Sequence, residues 1–109
     1  MQALDNIESI HNTAAAAARQ ATEDFLAKHG DRDVCGFAWV TVQEKGSTKL
    51  GRALKSVGFK PAYGGGLQLW NPSGSWTQCI TAKEEGARAY AEVLRKFGVE
   101  KAYAGSRLD

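Results

Sequence analysis

Sulfur, proline and histidine are scarce in this chain: two cysteines, one methionine, two prolines and two histidines in 109 residues. So few cysteines exclude a disulfide-built scaffold. Cys35 and Cys79 each lie in an apolar stretch with no second Cys or His two to four residues away, which argues against structural zinc and predicts two buried thiols. His11 and His29 fall in one helical segment, roughly 27 Å apart at ~1.5 Å per residue, so they do not form an acid-base pair. The serines lack a GxSxG elbow, and Cys79 has no base nearby in sequence. No catalytic residue, metal or cofactor is expected.

Long apolar runs are missing too. Nothing approaches the ~18 residues of a membrane span, and Met1 to Ser9 lacks the basic-then-apolar pattern of a secretory signal, so a cytoplasmic protein with no membrane partner is expected. Charge of one sign is also lacking, with 14 basic residues against 12 acidic ones. What remains, 43% apolar and 24% charged, is the composition of one compact domain spanning 1–109, long enough to bury roughly two thirds of its unfolded surface.

The first segment, 5–29, repeats Ile7, Ile10, Ala14, Ala17, Ala18, Ala21 and Phe25 at threes and fours after an Asp5-x-x-Glu8 capping pattern, which predicts one long helix. Its small central side chains let another backbone approach, so packing on a sheet or on a second copy, as a homodimer through this Ala-rich helix, is expected. Cys35 to Val42 is rich in β-branched and aromatic residues and reads as a central strand buried on both faces. Ser47 caps a second helix with the stripe Leu50, Ala53, Leu54 and Val57, which Gly58 stops. Leu67–Trp70 and Ser75–Ile80, separated by Asn71-Pro72-Ser73-Gly74, read as a hairpin. A Thr81/Glu84 capping box opens a third helix that runs to Gly98, and Val99–Ala104 reads as the last strand.

The stretch from Leu54 to Gly65 echoes that from Leu94 to Gly105 at an offset of 40, sharing Leu, Gly, Ala, Tyr and Gly in register. Carried backwards, the offset lays Cys35–Val40 over Ser75–Ile80 and makes two strand-helix-strand units. The expected fold is therefore α+β: a ferredoxin-like βαββαβ antiparallel sheet over 35–109, with an additional N-terminal helix.

Charge is uneven along the chain: 35–83 holds six basic residues and one acidic one. Lys45, Lys49, Arg52, Lys55 and Lys60 are a basic centre suited to phosphates or an acidic protein surface, and equally to a solvated helix face. Gly64-Gly65-Gly66 can present amides to an anion or simply form a turn. If the repeat is real, this loop and Gly105-Ser106-Arg107 line one rim of the sheet. Trp39, Trp70 and Trp76 with three tyrosines exceed what one small core hides, so some rings must be exposed.

Cys35-Gly36-Phe37-Ala38-Trp39-Val40-Thr41-Val42 resembles the RNP1 signature of RNA-recognition motifs, whose strand aromatics stack on bases. The match lies in Gly36, Phe37, Ala38, Trp39 and Val40. Cys35 replaces the leading cation, Val42 replaces the last aromatic, and the motif sits on the first strand where that family has it on the third. The plainer reading puts Phe37 and Trp39 in the core between sheet and helix.

Cys-Gly-Phe-Ala-Trp-Val at 35–40, Thr-Lys-Leu-Gly-Arg at 48–52, Trp-Asn-Pro-Ser-Gly at 70–74 and Tyr-Ala-Gly-Ser-Arg-Leu-Asp at 103–109 together resemble small proteins of tailed bacteriophages. The resemblance implies a non-enzymatic accessory protein in the host cytoplasm that binds and inhibits a host factor, such as a component of antiviral defence. The resemblance carries no site residues; from the exposed aromatics and cations, the expected contacts are Arg52, Trp70, Trp76 and Arg107. The alternative is a nucleic-acid or nucleotide binder using Phe37, Trp39, Gly64, Gly65, Gly66, Ser106 and Arg107.

Overall fold

The computed structural model describes residues 6–30, 34–77 and 79–108. Seven elements follow in order: α1 (Ile7–His29), β1 (Gly36–Val42), α2 (Lys49–Ser56), β2 (Lys60–Pro61), β3 (Leu67–Trp70), α3 (Ile80–Lys96) and β4 (Ala102–Leu108). The fold is α+β, with three helices and a four-stranded antiparallel sheet ordered β2-β3-β1-β4.

β1 is central, paired with β3 from Trp39↔Trp70 to Val42↔Leu67 and with β4 from Gly36↔Leu108 to Val42↔Ala102. It is buried on one face only. Ala38, Val40 and Val42 join Leu54, Phe59, Leu67, Tyr90 and Leu94 in the core, whereas Phe37, Trp39 and Thr41 are half-buried on the opposite face. The expectation of a strand buried on both sides, with the two aromatics between sheet and helix, is thus overturned. α2 and α3 lie against a single face, and strand alternation sends Phe37 and Trp39 to the other.

The expected hairpin is also different. Leu67–Trp70 pairs with Lys60–Pro61, while 71–77 is irregular: Asn71 N donates to Ala38 O at 2.9 Å, and beyond the segment Cys79 meets Cys35 in an isolated bridge. The cause is local. Ser73 Oγ accepts from Ser75 N at 3.3 Å, Ser75 Oγ from Thr77 N at 3.2 Å, and Thr77 Oγ1 from Cys79 N at 3.1 Å. Hydroxyls two residues back occupy the amides that a ladder would need. The backward extension of the repeat therefore fails.

Its forward part holds. Phe59 N donates to Leu54 O at 3.1 Å and Val99 N to Leu94 O at 2.9 Å, while Gly58 and Gly98 donate to Lys55 O and Arg95 O, each at 3.2 Å. Both glycines have positive φ, 113° and 100°. The echo is a twice-used helix stop in which a left-handed glycine turns the next apolar residue back onto the helix.

Two caps shift: Thr48 rather than Ser47 caps α2, accepting from Gly51 N, and Cys79 rather than Thr81 caps α3, accepting from Ala82 N. The Asp5 cap lies outside the described residues. Cys79 is buried as expected, but Cys35, at the start of β1, is exposed.

α1 packs on α3, not on the sheet. Its buried stripe is Ile10, Ala14, Ala18 and Thr22, and Thr22 Oγ1 donates to Ala82 O at 2.7 Å. A β-carbon at Gly86 would stand 3.1 Å from Ala18 O, so the small residues serve a close approach inside the chain. The stripe proposed for a homodimer is thereby already covered. Tyr90, fully buried at this seam, has its hydroxyl 2.7 Å from His11 Nδ1. Burial pushes the Tyr90 hydroxyl pKa up and that of His11 down.

Candidate functional site

The face of the sheet opposite the helices is built by register. One row runs Lys60, Gln68, Thr41, Tyr103; the next Trp70, Trp39, Gly105; the last Phe37, Arg107. No Asp or Glu occupies any of these positions. Trp70 and Tyr103 are 48% and 54% exposed on a strand surface where polar side chains are usual.

The aromatics are in contact. Trp39 and Trp70, directly opposite each other, have ring centroids 5.0 Å apart at 38°, and Phe37 meets Trp70 edge-on at 5.9 Å. Such a cross-strand pair contributes about 0.5–1.5 kcal/mol beyond area burial. Trp70 Nε1 donates to Gln68 Oε1 at 3.0 Å, which orients its indole. Trp39 lies across Gly105, where a β-carbon would meet indole Nε1 at 2.6 Å.

Two cations close the Phe37 end. The Arg107 guanidinium sits 5.7 Å from the Phe37 ring and 5.8 Å from Trp70, and Lys83 Nζ sits 5.4 Å from Phe37 while donating to Gly36 O at 3.0 Å. Lys83, in the first turn of α3, is only 8% exposed. Burying an ammonium without a carboxylate costs several kcal/mol as a rule, and its position at the positive end of a helix adds to that cost.

Phe37, Trp39, Trp70 and Arg107 are thus brought together, and the other expected residues are not. Ser106 pairs with Ala38, points to the helix side and hydrogen-bonds Glu84. Gly64, Gly65 and Gly66 form the β2–β3 turn, where Ala62 N donates to Gly66 O at 3.0 Å. That turn adjoins Val42, five residues along β1 from Phe37, or roughly 17 Å. The glycine turn and Arg107 therefore stand at opposite ends of the sheet, and the expected rim does not exist. Arg52 stays on α2, its Nη1 donating to Ser47 O at 2.9 Å, and Trp76 stands on the 71–77 segment, 98% exposed.

Lys83 and the role of Gly105 were not among the residues singled out from sequence. A signal for Lys83 existed: positions 83, 87, 90 and 94 share a helical stripe, and 87, 90 and 94 are apolar. A lysine there, in a first turn where cations are disfavoured, is anomalous.

Among the described residues no three His, Cys, Asp or Glu side chains form a group able to hold a metal ion, and no helix is long and apolar enough to cross a membrane. No family model, curated protein or solved structure matches the chain.

Proposed function

We propose that the protein binds single-stranded nucleic acid on the open face of its sheet, with bases stacked on Trp39 and Trp70. The observation that carries this reading is the contact of the exposed Trp70 indole with the half-buried Trp39 indole on adjacent central strands, on a face with Arg107 and Lys60 and no carboxylate. Flat rings beside cations suit a ligand that alternates flat rings with anions. The RNP1-like strand supports it, since Phe37 and Trp39 are its aromatic positions. The strand-helix-strand-strand-helix-strand order after α1, with the sheet order β2-β3-β1-β4, supports a ferredoxin-like reading of the fold. The function is binding, with no reaction assigned.

The test is fluorescence anisotropy with a labelled eight-nucleotide oligothymidylate. Stacking contributes about 1–3 kcal/mol per base, so Trp39→Ala and Trp70→Ala each weaken binding roughly fivefold to a hundredfold or more. Equal affinity in both variants and the parent, with the fold intact by circular dichroism, overturns the reading.

Trp76 favours a second reading. A fully exposed tryptophan on an irregular segment is the kind of anchor that fills a pocket on a protein partner. The phage resemblance makes that partner a host factor met in the host cytoplasm. On this reading Trp76→Ala abolishes capture of the partner and leaves oligothymidylate binding untouched.

A further inference from the structure

We infer that Lys83 and Arg107, converging on the ring of Phe37, hold one phosphate of the strand that stacks on Trp39 and Trp70, an inference that rests on the nucleic-acid reading above. The two cations come from different elements, α3 and β4, and meet at one side chain. Neither has an anionic partner among the described residues. Among the described residues the ion pair is Arg88 with Glu85, on the surface of α3.

An ammonium has three donors and the Gly36 carbonyl takes one, while the guanidinium brings five donors and rests on aromatic faces. A carbonyl and a ring soften a charge without neutralising it. The N-terminus of α3, three residues before Lys83, adds positive potential at the same place. A buried cation that shares one aromatic ring with a second cation is a cost in the free chain that an arriving anion removes.

Phosphate fits this pair better than a carboxylate does. Its several oxygens accept at once from a point ammonium and from a planar fork approaching from another side. Location argues the same way. Phe37 and Trp39 are two residues apart on one face of β1, about 7 Å, so a base over Trp39 brings an adjoining phosphate beside Phe37. In the free protein the Arg107 guanidinium lies over Phe37 and Trp70, and in the complex it turns from the rings to the phosphate.

The experiment compares oligothymidylate with its uncharged methylphosphonate analogue and measures affinity against salt. Wild type prefers the charged strand. Arg107→Gln and Lys83→Met each weaken it about tenfold, flatten the slope of log K against log salt by about 0.7, and match wild type on the neutral analogue. Unchanged slopes and discrimination in both variants overturn the phosphate site while leaving the stacking face standing. A wild type that binds neither strand overturns both, and one that binds oligoglutamate in preference to oligothymidylate overturns phosphate as the ligand. If Lys83→Met fails to fold, Arg107→Gln, on an exposed strand position, decides alone.

Discussion

The indole of Trp39 lies across Gly105, its cross-strand partner, so closely that a β-carbon there would stand 2.6 Å from Nε1 and 2.8 Å from Cε2. The missing side chain on β4 is what gives the indole its place on the sheet, and the Trp39–Trp70 contact depends on that place.

Gly105→Ala is therefore expected to cost about 1–3 kcal/mol by overpacking and to move Trp39 off its seat. Urea unfolding reads the first effect and near-UV circular dichroism the second. In a double-mutant cycle with Trp39→Leu the two changes must couple, because each acts on the same contact. Additive energies would show that the indole does not rest on Gly105.

Acidification is expected to destabilise the α1–α3 seam through His11. Burial lowers its pKa below the ordinary 6.5, so the unfolded chain binds the proton more readily than the folded one. The contribution of His11 is complete above about pH 6.5 and declines as pH falls below that value. Wild type should lose more stability between pH 7.5 and pH 5 than His11→Gln, which removes the titration and keeps an acceptor for the Tyr90 hydroxyl. Parallel losses in urea unfolding would exclude the effect.

Gly58→Ala and Gly98→Ala each place a β-carbon on a residue with positive φ at a helix stop. Each should cost about 1–2 kcal/mol, with a fall in Tm of roughly 4–8 °C per kcal/mol. Neither residue touches the open face, so oligothymidylate affinity at 20 °C should not change.

Local physics made much of this legible from the residues alone. The threes and fours of α1, the glycine stops and the alternation of Leu67, Leu69 and Trp70 depend on neighbours in the chain, and each appears in the structure. The failure at Ser75–Ile80 was local as well, since Ser73, Ser75 and Thr77 trade a ladder for hydroxyl-to-amide bonds that propensity does not register.

Composition and spacing by themselves determined the helix count, the α+β class and a surplus of rings too large to hide. Tertiary structure alone decided which rings show and which charges meet. Alternation says that Phe37 and Trp39 share a face, but only the burial of Ala38, Val40 and Val42 in the core on the helix side leaves that face open. Lys83 and Arg107 are twenty-four residues apart in the chain, and no pattern along it records that a helix start and a strand end converge on one phenyl ring.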